Sequence, residues 1–115
     1  MSDAQELEIQ TESIDDGVIL RPLGEIDLNC AAVLREGLRQ AQVGQPGRVV
    51  VDLGGVPYMD SSGVATLVEA MQIARRNSTK LILCAMQDKV RSIFEIARLD
   101  IVFSIVETAE EAVSQ

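Results

Sequence analysis

Apolar and polar positions alternate at the start of the chain, with Leu7, Ile9 and Thr11 interleaved with Glu8, Gln10 and Glu12. A period of two puts each set on one face of an extended backbone, so the segment reads as a half-buried strand. Asp15-Asp16-Gly17 is a turn signal and Val18-Ile19-Leu20-Arg21 a second strand, which together make an opening antiparallel hairpin. Pro22 has no N–H for a ladder and marks the strand's end or an edge position. The period then changes. Cys30, Val33, Leu34, Leu38 and Ala41 recur at helical spacing with Arg35, Glu36, Arg39 and Gln40 between them. Asn29 or Asp27 is the expected N-cap, and Gln45-Pro46-Gly47 the closing turn.

Arg48 to Leu53 is an apolar, β-branched run, the pattern of a central strand buried on both faces. A short loop ending in Asp60-Ser61-Ser62-Gly63 leads into a helix to about Asn77, with Val64, Leu67, Val68, Met71 and Ala74 on one stripe. Lys80-Leu81-Ile82-Leu83-Cys84 is the next strand, and strand, helix, strand at this spacing predicts a parallel βαβ unit. Asp88 is the expected cap of a helix that buries Val90, Ile93, Phe94 and Ala97, with Arg91 and Arg98 outside. Ile101 to Ile105 reads as a fifth strand. Thr108-Ala109-Glu110-Glu111 is a capping-box pattern opening a short last helix with Ala112 and Val113 inward. The sum is an α/β fold in the order ββαβαβαβα, a mixed sheet with helices packed on it, expected as a single domain over residues 1–115.

Composition narrows the function. Aromatic residues are only 3% of the chain, so the core is aliphatic and no platform exists for stacking bases. A net charge of −8 argues against nucleic-acid and anionic-membrane surfaces, both of which need clustered cations. Histidine is absent, which removes Ser-His-Asp and Cys-His nucleophiles and the commonest zinc ligand. Cys30 and Cys84 lack a CxxC spacing and read as small core residues in a reducing compartment. The first six residues carry neither a basic nor an apolar leader, and the apolar runs are far below the roughly 20 residues of a spanning helix. No phosphate-binding Gly motif is present. The expectation is a cytoplasmic protein that is not an enzyme and carries no cofactor or metal.

The remaining chemistry lies in Tyr58-Met59-Asp60-Ser61-Ser62-Gly63. Asp60, Ser61 and Ser62 stand at a helix N-terminus, where orphan N–H groups and the macrodipole favour negative charge. Residue type alone fits an ordinary N-cap as well as a modification site, and leaves two candidate serines. Tyr58 and Met59 fit either a core or a partner contact.

Gly24-Glu25-Ile26-Asp27 after the second strand and Met59-Asp60-Ser61-Ser62-Gly63-Val64 after the third resemble the STAS domain. Leu83-Cys84-Ala85 and Val90-Arg91-Ser92-Ile93-Phe94 add to that likeness, which covers nearly the whole chain. It is similar in particular to the free-standing bacterial anti-sigma factor antagonists. The departures are Ile26 and Val64 at positions where leucine is commoner, and Leu28-Asn29, which match no family pattern. The resemblance implies partner switching. The serine after the loop aspartate, here Ser61, would be phosphorylated by an anti-sigma factor that is itself an ATP-dependent serine kinase. The unphosphorylated form would bind that kinase and free its sigma factor, and a serine phosphatase would reset the switch. Asp27, Met59, Asp60, Ser61, Ser62 and Gly63 are then the expected docking residues, although Asp27 fits equally well as a helix cap.

Two other readings compete. Val51-Asp52-Leu53 superficially resembles the phospho-acceptor strand of a receiver domain. A receiver, however, opens with a strand and helix and needs a lysine after its last strand, where this chain has Glu107-Thr108. A STAS fold could also serve as a subunit of a stress-sensing or lipid-transport complex.

Overall fold

The computed structural model describes residues 7–115, so the leader reading made on residues 1–6 lies outside the described residues. The chain forms β1 (Glu8–Ile14), β2 (Gly17–Leu23), α1 (Ala31–Gln42), β3 (Arg48–Asp52), α2 (Ser61–Arg76), β4 (Lys80–Cys84), α3 (Asp88–Ile96), β5 (Ser104–Val106) and α4 (Ala109–Val113). The strands lie in the order β1-β2-β3-β4-β5, with β1 and β2 antiparallel and every later pair parallel. Each helix between parallel strands therefore carries the chain to the adjacent position, and β3 is central as its β-branched composition predicts.

Alternation along the central strands divides two cores. Leu20, Val49, Val51, Leu81 and Leu83 join the large cluster with Leu34 and Leu38 of α1, Leu67 and Met71 of α2, and Val90 and Phe94 of α3. Ile19, Val50, Ile82 and Cys84 point the other way and meet Ala112 of α4. Phe94 closes the large cluster edge-to-face against Phe103, with ring centroids 5.5 Å apart. Beyond the short α4 the second face carries polar groups, with Arg21 bridging Glu12 at 2.9 Å and Asp52 at 3.3 Å. Asp52 thus ends the central strand as a structural carboxylate, and its other oxygen accepts from the Gly54 N–H at 2.9 Å.

Several sequence expectations are corrected. Gly17 belongs to β2 itself as its first residue, and a Cβ there would overlap the Arg48 carbonyl oxygen, so the close approach of β2 to β3 requires glycine. Pro22 agrees with its reading as a strand end or edge position: it is the last residue but one of β2, and only β1 pairs with it because the β3 ladder stops at Leu20. Neither Asn29 nor Asp27 caps α1. The cap is Cys30, which makes no side-chain capping bond, while Asp27 Oδ1 accepts from the Asn29 N–H at 2.9 Å in a turn before the helix. Gln87, not Asp88, caps α3, and its amide goes instead to the Gly54 carbonyl at 2.9 Å.

The remaining corrections concern exposure and one strand boundary. Val33, Ala97 and Val113, expected inward, are exposed, and Ile93 is half-buried. The fifth strand begins only at Ser104. Arg98 adopts a left-handed φ of 61° that ends α3, and Leu99–Ile101 winds a 3-10 turn that directs Phe103 into the core. An apolar run of that length carries no period that separates strand from turn.

Candidate functional site

The loop from β3 to α2 rests on a fully buried floor. Leu53, Val56 and Met59 are buried there, together with Ile26 from the β2–α1 connection. The two connections are stitched by backbone hydrogen bonds, Gly24 N–H to Gly55 O at 2.9 Å, Ile26 N–H to Tyr58 O at 3.0 Å and Asp60 N–H to Ile26 O at 3.0 Å. They form a parallel bridge between Ile26 and Met59, an extra rung beyond the end of β2 and β3. The residues 24–27 motif and the residues 59–63 motif, distant in sequence, therefore form one surface.

Asp60 organises that surface. Its backbone is extended and its side chain caps α2, with Oδ1 accepting from Ser62 N–H at 2.9 Å, Gly63 N–H at 3.3 Å and the Ser62 hydroxyl at 2.5 Å. Oδ2 reaches across to the Leu28 N–H at 3.2 Å. The Ser62 hydroxyl and these three amides hold the Asp60 carboxyl below the usual carboxylate range, against the opposing effect of partial burial. Asp27 lies between Ile26 and Leu28, both hydrogen-bonded to Asp60, and so joins the same acidic surface.

The two serines are not equivalent. Ser62 is half-buried and its hydroxyl is committed to Asp60. Ser61 is exposed at the first position of α2, and among the described residues nothing engages its hydroxyl. Among the described residues no base is hydrogen-bonded to it, so the arrangement presents an exposed hydroxyl.

Met59 is fully buried, so its expected place in a docking surface is corrected: it forms the floor on which α2 sits. Gly63 is buried as well, and a Cβ there would lie 2.5 Å from Met59 Cγ and 2.8 Å from Ile26 Cγ2. Its role is to let α2 approach that floor. Tyr58, the other half of the apolar pair, is half-exposed. Sequence reasoning missed Leu28, which stands 77% exposed beside Asp60 and whose amide ties the two loops together. A lone apolar residue in a loop has no period to flag it. Neither cysteine is a reactive thiol: burial pushes Cys30 up, and burial followed by the charge of Asp52 pushes Cys84 to about 12.

Comparison with known proteins places this geometry among relatives. Residues 8–112 match the family model described as STAS domain. The chain is 34% identical over 82 residues to an anti-sigma-B factor antagonist of Listeria monocytogenes, covering 71% of this chain and 72% of that protein. The crystal structure of an anti-sigma factor antagonist from Mycobacterium paratuberculosis superposes with a TM-score of 0.87 at 20% identity, over 98% of this chain and 95% of that one. The Bacillus cell fate determinant SpoIIAA in its phosphorylated form superposes with a TM-score of 0.72 at 24% identity, over 93% and 97% of the two chains.

Proposed function

Because the chain belongs to the STAS domain family, and its relatives include anti-sigma factor antagonists, we propose that it is such an antagonist, switched by phosphorylation of Ser61. In this reading the unphosphorylated surface around Ser61, Asp60, Asp27 and Leu28 binds an anti-sigma factor that is also a serine kinase. Binding releases the sigma factor that the kinase holds. Phosphoryl transfer to Ser61 ends the complex, and a serine phosphatase restores the free hydroxyl.

The observation that carries the proposal is the contrast between the serines. An exposed, uncommitted Ser61 hydroxyl can enter a kinase active site, whereas the Ser62 hydroxyl would first have to leave Asp60. The electrostatics support a switch without refolding. A phosphoserine adds about −1.5 to −2 charge and stands beside Asp60 and Asp27. A partner fitted to a neutral hydroxyl then meets like charge and a desolvation penalty of several kcal/mol. A loss of about 4 kcal/mol is roughly a thousandfold in affinity.

The test is incubation with the organism's anti-sigma factor kinase and ATP, followed by site mapping by mass spectrometry and a pulldown. Modification at Ser61, with release of the kinase, is expected. Modification at Ser62, or unaltered binding after Ser61 is phosphorylated, refutes the assignment.

A further inference from the structure

The two edges of the sheet differ. β5 is three residues long, whereas β1 runs for seven, and among the described residues only β2 pairs with it. Exposed edges are commonly blunted by shortness, lysine, proline, a bulge or a covering element. β1 contains neither lysine nor proline, and its register against β2 is continuous, so it carries no bulge. Thr11 and Ser13 stand exposed on it.

Pro22 shows which backbone groups face the open side. It lies opposite Ile9 and has no N–H, so that pair cannot exchange two hydrogen bonds. Bonded and unbonded pairs alternate along an antiparallel ladder. Thr11 opposite Leu20 and Ser13 opposite Val18 are therefore also unbonded toward β2. The N–H and C=O groups of Ile9, Thr11 and Ser13 point outward instead. Beside them Ile9 and Thr11 line an open groove against Gly37, Gln40 and Ala41 of α1, and Val33, 40% exposed, continues it.

We propose that β1 pairs with β1 of a second copy of this chain, antiparallel about a dyad at Thr11, joining two five-stranded sheets into one. The strand's own sequence selects this occupant and this register. With the dyad at Thr11 every residue of β1 finds an opposite: Thr11 meets its own copy, Ile9 meets Ser13, Gln10 meets Glu12 and Glu8 meets Ile14. The outward-facing positions then lie against one another and exchange two hydrogen bonds at each pair. The Gln10 amide can donate to the Glu12 carboxylate, and no acid faces an acid. Moving the dyad to Gln10 sets Glu8 against Glu12, and moving it to Glu12 sets that residue against itself, both destabilising like-charge pairs. The dyad is perpendicular to the sheet, so the second α1 arrives on the same side and covers the groove over Ile9 and Val33. None of these residues belongs to the Ser61 surface, and the inference does not rest on the proposed switch.

Sedimentation equilibrium of the full chain from micromolar to millimolar concentration is the test. A rise from one chain mass to two is expected. Each chain carries a net charge of −8, so the association should tighten as salt screens the repulsion. The amides of Ile9, Thr11 and Ser13 should gain exchange protection as concentration rises. Thr11→Pro removes the N–H at the dyad without touching the β2 ladder, as Pro22 does opposite Ile9, and should weaken association at least about tenfold. Gln10→Lys places a cation opposite Glu12 of the second copy and should tighten association about fivefold at low salt. That variant decides the matter if Thr11→Pro does not fold. A single chain mass at millimolar concentration and high salt overturns the proposal. So does a dimer that a folded Thr11→Pro leaves intact, that Gln10→Lys fails to tighten, or that leaves the Ile9, Thr11 and Ser13 amides unprotected.

Discussion

Gly63→Ala adds one methyl group at the point where α2 meets its floor. The new Cβ would lie 2.5 Å from Met59 Cγ and 2.8 Å from Ile26 Cγ2. Carbon atoms in good contact are about 3.5–4.0 Å apart, so about 1 Å of separation must be found. Met59 and Ile26 are both fully buried and cannot swing into solvent. Overpacking of this kind costs about 1–3 kcal/mol. Alanine returns at most about 1 kcal/mol in helix propensity, and less in a first turn. The net expectation is a loss of about 1–2 kcal/mol, or a fall in Tm of about 5–10 °C for a domain near this size. Gly63→Val, with two more methyls, should lose about 3 kcal/mol or more.

Urea denaturation measures the effect, with an unchanged m-value showing that only stability moved. The cause can be separated from the size by placing Gly63→Ala in a Met59→Ala background. There the vacated space should absorb the methyl, giving a coupling of about 1 kcal/mol. Wild-type or higher stability for Gly63→Ala, or strict additivity in the double variant, would refute the packing argument.

Other expectations follow from the same geometry. Ser62→Ala removes the leading hydrogen bond on Asp60 and should cost about 1 kcal/mol while leaving Ser61 phosphorylatable, whereas Ser61→Ala should be stable, unphosphorylated and constitutively bound to the kinase; intact-mass measurement and urea titration separate the two. The folded pKa of Asp60 is depressed, so its stabilising contribution is complete above the ordinary carboxylate pKa and is lost as pH falls through the folded value. Hydrogen exchange at the Leu28 and Ser62 amides should therefore accelerate relative to the intrinsic rate below about pH 4, and Asp60→Asn should flatten that dependence. Arg48 is buried and ties Asp16 at 3.1 Å, the Ala112 carbonyl at 2.7 Å and the Gln115 carbonyl at 2.6 Å. Arg48→Met should cost about 2–3 kcal/mol by urea titration, with exchange protection lost first in α4, because Asp16 remains half-exposed and can be resolvated. Phosphoserine at Ser61 should titrate by ³¹P resonance above its ordinary second pKa of about 6, and a value below 6 would contradict the charge argument.

The order of elements, the opening hairpin and the central place of β3 were legible because their signals are strong and local. The period of two at Leu7 to Glu12, the Asp15-Asp16-Gly17 turn and the β-branched run of β3 each allow one placement. The boundary of α2 was legible for the same reason, since Asp60 is a good cap and Gly63 tolerates close contact. What sequence could not supply was direction. Met59 beside Tyr58 offered two ways to face, and only the bridge to Ile26 turns the methionine inward. At α1 the expected cap Asp27 meets the Asn29 amide instead, and at α3 the N-cap place expected of Asp88 is taken by Gln87, whose side chain goes to the Gly54 carbonyl. Those competitors arrive by local turns and tertiary contact, and neither leaves a period in the sequence.

The expected rise in the phosphoserine pKa depends on a fact that sequence reasoning had the other way round. A bare helix N-terminus would gather phosphate oxygens onto its free N–H groups, lower the pKa and hide the charge. Here the Ser62, Gly63 and Val64 N–H groups are already taken, and only that of Ser61 is left in the first turn. Asp60 Oδ1 accepts from Ser62 and Gly63, and the Asp60 carbonyl accepts from Val64 at 3.2 Å. A phosphoryl group on Ser61 must either displace a carboxylate that makes four hydrogen bonds or remain in water beside it. Water is the cheaper course. The added charge then faces outward, next to Asp60 and Asp27, where a docking partner meets all of it. In the proposed switch Asp60 would therefore act by occupying the helix end, keeping the phosphoryl group from being absorbed by the fold.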